Sequence, residues 1–237
     1  MQLPHPLIHG KLIKRYKRFL ADVELDSGEV ITAHCANPGG MIRLKEPGID
    51  VWLSQSDNPK RKLKYSWELC QIGDAWIGIN TAHPNAIVEE AILAGKVPEL
   101  SDYESLKREV KYGKNSRIDI LLSDPDKGLC YVEVKNVHLK RDEDVPGLAE
   151  FPDAVTARGA KHLDEMADMV AEGHRAVMFY LIQRTDCDRF TLATDIDPHY
   201  GERFKAARTN GVEAIAYDCS IDTSAVTVRS SLPIVGL

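Results

Sequence analysis

The segment RAVMFYLIQ, residues 175–183, restricts the fold of this chain more than any other feature of its sequence. Its central residues are all apolar or aromatic, so it lacks the alternation of a strand that has one face in water. Such a run is typical of a strand that is covered on both faces. Amphipathic patterns at 152–173, with Val155 in the apolar face, and at 198–211 predict helices that provide this cover.

The other patterns in the second half of the chain agree with a covered sheet. Residues 86–95 predict a helix, residues 116–122 and 129–137 predict a β-hairpin, and residues 212–219 predict a last strand. Because strands and helices alternate in this way, we predict a mixed sheet flanked by helices over residues 83–237.

The first 82 residues show a different pattern. Their strand-like runs are short, are separated by turn residues and are not interrupted by a long helix. These runs cover residues 19–25, 29–35, 48–55, 63–73 and 75–81. The spacing predicts a small β-barrel, with a β-sandwich as the alternative. We therefore predict two domains, residues 1–82 and 83–237, in a chain of α/β (α+β) class.

The cysteine and hydrophobic content bears on the compartment. The five cysteines are dispersed and form no CxxC pair, which argues against a structural zinc site and favours a reducing cytoplasm. No apolar run approaches the ~20 residues that span a bilayer, and the N-terminus lacks the apolar core of a secretory signal. We therefore expect a cytoplasmic protein without a membrane partner.

Two basic clusters in the first domain favour a nucleic-acid partner, although the net charge of the chain is −6. The segment 11–18 surrounds Tyr16, and the segment 60–64 precedes Tyr65 and Trp67. Cations beside aromatic rings on a barrel are typical of single-strand binding, although lysines also protect edge strands from pairing. The candidate nucleic-acid-binding residues are Lys14, Arg15, Lys17, Arg18, Lys60, Arg61, Lys62 and Lys64.

The segment YVEVKN, residues 131–136, places an acid and an amine two positions apart on a predicted strand. Glu133 and Lys135 therefore share one face of that strand. They form either an ordinary ion pair or one part of a catalytic site. From this short motif alone, the ion pair is the simpler interpretation.

Asp119, on the preceding predicted strand, supplies a second carboxylate. Alternation places it on the face opposite Ile118 and Ile120. If the strands pair in the register that joins Leu122 to Cys130, Asp119 lies directly opposite Glu133, and their Cβ atoms are about 5 Å apart. Carboxylates at that distance repel unless a cation lies between them. The sequence leaves this register open, because a slip of one residue would separate them.

Two carboxylates beside a lysine suit a divalent metal centre. Asp119 and Glu133 would bind Mg²⁺ or Mn²⁺ together with water and phosphate oxygens, and Lys135 would orient the attacking water. Arg117, on the face that carries Asp119, would either contact phosphate or neutralise that acid. A group within one turn of the long helix is interpreted as a charged helix surface: Arg158, Lys161 and His162.

Seven blocks occur in order along the chain: RFLADVELDSG, YSWELCQIGDAWIGINTAHPN, SRIDILL, YVEVKNV, FPDAVTARGAKHL, IQRTD and IDPHYGERF. Together they resemble the sugar fermentation stimulation protein A family of prokaryotes over essentially the whole chain. The acids and the lysine resemble the PD-(D/E)xK nuclease superfamily. The resemblance implies an oligonucleotide/oligosaccharide-binding (OB) barrel, a nuclease-like domain, DNA binding and a link to the regulation of sugar utilisation, notably of maltose. It also makes Glu89 or Glu90 a further candidate metal ligand, because the preceding helix often supplies a third acid in this nuclease class. The two glutamates flank the apolar face of that helix about equally, and Glu89 is preferred.

The sequence therefore supports two main hypotheses. The first is a metal-dependent nuclease whose barrel holds DNA and whose catalytic residues are Asp119, Glu133 and Lys135. The second is a DNA-binding regulator that keeps the nuclease fold without turnover, and a carbohydrate or small-molecule sensor is a third alternative. The sequence leaves open whether the DNA is single- or double-stranded and which oligomer forms, with a homodimer as one hypothesis.

Overall fold

Five strands close into a barrel at the start of the chain in the computed structural model, which describes residues 1–4, 6–113, 116–141 and 145–236. The strands are Ile8–Tyr16 (β1), Leu20–Leu25 (β2), Val30–His34 (β3), Asp50–Gln55 (β4) and Tyr65–Ile72 (β5). They pair in the order β3-β2-β1-β4-β5, and a parallel pairing of β3 with β5 closes the ring. A further strand, Ala75–Gly78 (β6), pairs with β5. The predicted OB-type barrel is confirmed, and the sandwich alternative is wrong.

Strand β1 is missing from the sequence prediction because basic residues obscure its pattern. Leu12 is buried in the barrel core, whereas Lys11 and Lys14 on the same strand are exposed. Gly10 allows β1 to approach β2 closely, since a Cβ atom at this position would lie 2.6 Å from the carbonyl oxygen of Glu24. The basic segment is therefore a full member of the barrel and not only a charged surface.

The rest of the chain builds a six-stranded mixed sheet with helices on both faces. The elements, in chain order, are Pro84–Leu93 (α1), Ser105–Tyr112 (β7), Ser116–Asp124 (β8), Gly128–Val137 (β9), Gly147–Phe151 (β10), Ala157–Ala171 (α2), Arg175–Ile182 (β11), Cys187–Leu192 (β12), Pro198–Thr209 (α3), Glu213–Ile221 (β13) and Val226–Ser231 (β14), with a short 3₁₀ helix at Pro98–Leu100. The spatial order of the sheet is β14-β13-β11-β9-β8-β7, and β10 pairs with β12 separately. Strands β9, β11 and β13 run parallel, which confirms the predicted mixed sheet.

The apolar strand β11 lies in the middle of this sheet and is buried on both faces, as its sequence predicts. Phe179 packs into the core beneath α1, whereas Tyr180 packs into the core beneath α2 and α3. In this second part of the chain, the sequence does not predict four strands, β7, β10, β12 and β14. They lie at the edges of the mixed sheet or in the separate two-stranded pair. Across the described residues, no helix combines the length and the hydrophobicity needed to cross a bilayer.

The long helix α2 begins five residues later than the sequence pattern predicts. Strand β10 continues to Phe151, and α2 starts only at Ala157. Thr156 is its N-cap, because the Thr156 hydroxyl oxygen accepts a hydrogen bond from the Gly159 N–H. Val155 is consequently 75% exposed, so its assignment to the apolar face is wrong. This late start places the first turn of α2 beside the end of β9.

Close backbone contacts join the barrel to the mixed sheet. The Gly78 N–H donates a 3.0 Å hydrogen bond to the Gln183 carbonyl, and a Cβ atom on Gly78 would lie 2.4 Å from the Gln183 side chain. On a second side, the Met41 N–H donates to Asp153 Oδ2 at 3.0 Å. These contacts fix the position of the barrel relative to the sheet.

A buried carboxylate completes the junction. Glu68 on β5 is 3% exposed and accepts hydrogen bonds from Ser54 (2.5 Å), Asn80 (2.8 Å) and His83 (2.8 Å). Burial raises the pKa of Glu68, but the His83, Ser54 and Asn80 contacts outweigh burial and lower the pKa overall. Since His83 is the N-cap residue of α1, this acid links the barrel to the first helix of the sheet.

We expect Glu68→Gln to lower the free energy of unfolding by about 1–3 kcal/mol near pH 7, because an amide cannot accept all three hydrogen bonds. The lowered pKa of Glu68 means that its contribution is present above its ordinary value of 4.5 and is lost as the pH falls through the folded-state pKa. Urea unfolding at neutral and acidic pH measures this difference. Glu24→Gln, which alters an exposed carboxylate on β2, is the control, and an equal effect of both variants would contradict the assignment.

Candidate metal and nucleic-acid site

A cleft opens where four parts of the chain meet: Thr81, which lies between β6 and α1, the start of α1, strand β9 and the start of α2. Acidic, basic and amide side chains converge in it, and backbone of α2 forms one wall. The residues that line the cleft are Thr81, Pro84, Asn85, Asp119, Glu133, Val134, Lys135, Asn136, Thr156, Arg158, Gly159 and His162. All three predicted catalytic residues therefore lie in one cavity.

Glu133 is the buried centre of this cleft, at 3% exposed. Its Oε1 atom is 2.6 Å from Lys135 Nζ and also accepts a hydrogen bond from His162 Nδ1. Its Oε2 atom is buried and has no hydrogen-bond partner. Burial raises the pKa of Glu133, but Lys135 and His162 outweigh burial, so the pKa is lowered and the carboxylate stays ionised.

Asp119 is held beside this carboxylate by the register of the hairpin. Leu122 pairs with Cys130, which is the register that the sequence left open, and this pairing continues as far as Ile120 and Val132, the residues next to Asp119 and Glu133. The Val134 N–H donates to Asp119 Oδ2 at 2.8 Å, and Asn85 Nδ2 donates to Asp119 Oδ1 at 2.9 Å. Burial, and after it the charge of Glu133, raise the pKa of Asp119 from 3.8 to about 6.

The strand that carries Asp119 does not alternate regularly, which corrects the sequence prediction. Ile118 packs into the core beneath α2, whereas Ile120 packs into the core beneath α1. The alternation of faces is therefore interrupted at Asp119, and Glu109 on the neighbouring strand has a positive φ of 55°. Arg117 is exposed on β8 and does not line the cleft.

The donor set fits a hard divalent cation. Glu133 Oε2 is a buried anionic oxygen without a partner, and Asp119 has a raised pKa partly because of the Glu133 charge, so a cation between them would relieve both penalties. In the described part of the chain, no three His, Cys, Asp or Glu side chains converge in a way that could hold a metal ion. The protein would therefore supply two carboxylates, and water, backbone or phosphate oxygens would complete the shell, as for Mg²⁺ or Mn²⁺.

Helix α1 directs an amide, and not an acid, at the carboxylates. Asn85 donates to Asp119, whereas Glu89, one turn later, forms a 3.0 Å ion pair with Arg108. Glu90 pairs with the N-terminal amine. Glu89 does not line the cleft, so the helix does not bring the predicted third carboxylate beside Asp119 and Glu133.

The N-terminal half of α2 contributes two residues to the cleft that the sequence pattern did not place there. His162 is 4% exposed and contacts Glu133, so its assignment to a charged helix surface is wrong. Arg158 Nε donates to His162 Nε2 at 3.3 Å, which leaves the Nδ1 proton of His162 for Glu133. Their i, i+4 spacing was the available signal, but it could not show which helix face met the strand. Lys161 instead contacts Ser116 at 3.3 Å.

The predicted nucleic-acid-binding residues take different positions on the barrel. Lys17, Arg18, Lys60, Lys62 and Lys64 are exposed, and Lys14 is exposed beside Asp22, 3.4 Å away. Arg15 donates to the backbone carbonyls of Arg18, Asn37 and Gly39 and braces the loop that reaches Asp153. Arg61 donates to Ser66 Oγ at 2.6 Å.

Trp67 is not available as a stacking platform. It is fully buried in the barrel core, and its indole N–H donates to the Leu69 carbonyl at 2.9 Å. Tyr16 and Tyr65 are partly exposed. The predicted platform of Tyr65 and Trp67 is therefore wrong for Trp67, because its ring packs in the barrel core.

Comparison with known families connects both parts of the chain to one group of proteins. The SfsA N-terminal OB domain matches residues 13–79, and the sugar fermentation stimulation protein RE domain matches residues 82–225. The chain belongs to the sugar fermentation stimulation protein family. The resemblance noted in the sequence blocks is thus confirmed.

Individual relatives of the family are similar over their full lengths. The sugar fermentation stimulation protein homolog of Rhodospirillum rubrum is 56% identical and covers 99% of this chain and 99% of its own. The homolog of Maricaulis maris is 55% identical over 97% of this chain and 96% of its own. The solved structure of Pyrococcus furiosus SfsA in complex with Ca²⁺ superposes with a TM-score of 0.86 at 24% identity, covering 99% of this chain and 97% of that one, which shows the shared fold.

We expect Asp119→Asn to raise the free energy of unfolding of the metal-free protein by about 2 kcal/mol near pH 8. The pKa of Asp119 is raised from 3.8 to about 6, so ionising this acid in the folded protein costs stability above that range. The gain should vanish as the pH falls below about 4, where the carboxyl is protonated in both states. Urea unfolding in the presence of a chelator, near pH 8 and below a pH of about 4, measures the difference in the free energy of unfolding at both pH values.

Asp74→Asn, in the exposed turn between β5 and β6, is the matched control and should leave stability unchanged at each pH. If Asp119→Asn and Asp74→Asn behave alike from acidic to alkaline pH, the raised pKa of Asp119 is refuted.

Proposed function

We propose that the protein is a divalent-metal-dependent enzyme that hydrolyses phosphodiester bonds in DNA, and that its OB barrel holds the DNA. The observation that carries this proposal is the Glu133 Oε2 atom, a buried and unpartnered carboxylate oxygen next to Asp119 and Lys135. A structural ion pair accounts for Glu133 Oε1 but not for Oε2, since buried polar atoms normally have partners.

The residues of the cleft have distinct parts in this chemistry. Asp119 and Glu133 would hold a Mg²⁺ or Mn²⁺ ion, which when bound polarises the phosphate and lowers the pKa of a bound water. Lys135 Nζ, 2.6 Å from Glu133, is positioned to orient the attacking water. Asn85 and the Val134 N–H fix the Asp119 carboxylate, and His162 fixes that of Glu133.

A phosphate group would find positive partners on the α2 side of the cleft. Arg158 and Gly159 line the cleft in the first turn of α2, where the helix dipole favours an anion. Arg158 uses only its Nε atom to contact His162, so its terminal N–H groups can reach the DNA backbone. This arrangement would position the phosphate against the metal-binding carboxylates.

The Pyrococcus furiosus relative supports a hard divalent cation, since its structure was solved in complex with Ca²⁺. Ca²⁺ and Mg²⁺ both take oxygen ligands, in agreement with the two carboxylates here. The family name links these proteins to sugar fermentation, and we propose that DNA processing or DNA binding by this chain acts on sugar utilisation.

One observation favours the alternative, a DNA-binding regulator without turnover. Glu133 Oε1 already has two donors, Lys135 and His162, so the site is stabilised without a metal ion. A regulator of this kind would bind DNA through the barrel but would not cleave it.

We expect pure protein with Mn²⁺ to cleave DNA and Lys135→Ala to reduce the single-turnover rate by at least about a hundredfold. Single-stranded, duplex and branched DNA should each be tested. Lys205→Ala, which removes an exposed lysine on α3, is the control and should cleave like the wild type. Equal rates for wild type and Lys135→Ala would contradict the assignment, and binding without any cleavage would support the regulator.

The barrel assignment makes a separate prediction for DNA affinity. Replacing Lys60, Lys62 and Lys64 together by Gln should weaken binding and reduce the slope of log affinity against log salt by about 2–3, because fewer counterions are released. Fluorescence anisotropy in chelator measures this slope. An unchanged slope and affinity would show that DNA binds elsewhere.

A further inference from the structure

The turn between β1 and β2 is strained where it carries two cations. Lys17 and Arg18 have positive φ angles of 48° and 63°, in a backbone region that residues other than glycine rarely adopt. The turn is nevertheless rigid, since the Phe19 N–H donates to the Lys17 carbonyl at 2.8 Å and Arg15 Nε donates to the Arg18 carbonyl at 3.1 Å. Strain that is held in place by such bracing is typical of functional sites.

This turn presents an exposed aromatic ring. Phe19 is 44% exposed, and its ring stacks on that of His34 with centroids 6.4 Å apart and planes 20° apart. The Cys35 N–H donates to the Phe19 carbonyl at 2.8 Å, which fixes the backbone beneath the ring. Phe19 and His34 therefore form a preorganised shelf, and its outer face is open.

Cations from both basic clusters surround the shelf. Lys17 and Arg18 are exposed and directly precede Phe19. The pairing that closes the barrel places Ser66 beside His34, and Arg61 donates to Ser66 Oγ at 2.6 Å. The segments 11–18 and 60–64, which are far apart in sequence, thus meet at one aromatic pair.

The shelf is connected to the metal-binding cleft by a short path. His34 lies two residues before Ala36, whose carbonyl accepts hydrogen bonds from the Thr81 N–H (2.9 Å) and hydroxyl (2.7 Å). Thr81 lines the cleft that contains Asp119 and Glu133. A polyanion in the cleft can therefore continue along the barrel to the cations at the shelf.

We propose that Phe19 and His34 are a stacking site for an unpaired nucleobase of single-stranded DNA whose backbone contacts Lys17, Arg18 and Arg61. A flat π-face flanked by cations fits a base and its phosphates. A base inside a duplex already stacks on both neighbours and cannot present its face. The site therefore selects DNA that is single-stranded, or has a single-stranded end, beside the cleft; this inference rests on the proposed binding of DNA and adds the class of substrate.

Binding in chelator, which prevents cleavage, tests the shelf separately from catalysis. Fluorescence anisotropy would compare a single strand of about twelve nucleotides with a blunt duplex. We expect Phe19→Ala to weaken single-strand binding about tenfold or more and Phe19→Trp to retain it, because a base–aromatic stack carries a free energy of this size. Duplex binding should not change. Val30→Ala, which removes an exposed apolar side chain at the far end of β3, is the control and should bind like the wild type.

An abasic scan shows whether a base is what the shelf binds. One abasic position is moved along the single strand. The affinity of the wild type should fall about tenfold when the abasic position is at one particular place in the strand. Phe19→Ala should lose no further affinity there, since the missing ring and the missing base remove the same contact. Urea unfolding of Phe19→Ala should match that of Val30→Ala, which excludes a folding defect.

The outcomes separate this site from the proposed function. If the wild type binds single strands and Phe19→Ala binds them equally, the shelf is overturned, whereas metal-dependent cleavage is judged by Lys135→Ala. If the abasic position and the Phe19→Ala substitution each weaken binding, but their two losses of binding free energy add fully, stacking on Phe19 is overturned. If the wild type binds no DNA at all, the shelf and the proposed function both fail.

Discussion

The ionised Glu133 side chain, buried inside a covered sheet, is the constraint on which the arrangement of this protein depends. A carboxylate at 3% exposure is unstable unless other groups compensate its charge. Lys135 lies on the same face of β9, but His162 must come from another element, so the N-terminal half of α2 has to cross β9. The Thr156 cap, which starts the helix late, makes that crossing possible.

The barrel is tied to the same cleft through a chain of polar contacts. Glu68 in the barrel is hydrogen-bonded to His83, which is the N-cap residue of α1. Asn85, in the first turn of α1, donates a hydrogen bond to Asp119. Backbone contact at Gly78 adds a second attachment that leaves no room for a side chain. A surface on the barrel and the carboxylates in the cleft therefore keep a fixed distance, which a protein that reads one strand at two points requires.

The sequence reveals those features that repeat along one element. The uniform apolar run of β11 and the i, i+2 spacing of Glu133 and Lys135 survive in the structure, because they depend only on strand geometry. Contacts between elements are not encoded by periodicity, which left Glu89 and Glu90 equivalent and placed His162 on the helix surface. The structure instead directs Asn85 at Asp119 and buries His162. Strand β1 stays hidden for a related reason, since its exposed residues are cations and few of its residues are apolar.

Several features that cost stability occur in the cleft and at the β1–β2 turn of the barrel. Asp119 is ionised against a raised pKa, Glu133 Oε2 lacks a partner, the backbone at Lys17 and Arg18 is strained, and Phe19 is exposed. Each feature is unfavourable in the protein alone, although hydrogen bonds to Asp119, to Glu133 Oε1 and within the turn offset part of the cost. One ligand would offset all of them: a polyanion with a bound divalent cation at the carboxylates, phosphates near the cations and a base on the ring. Ala36 and Thr81 connect the turn to the cleft by hydrogen bonds, as a binding surface for such a ligand would require.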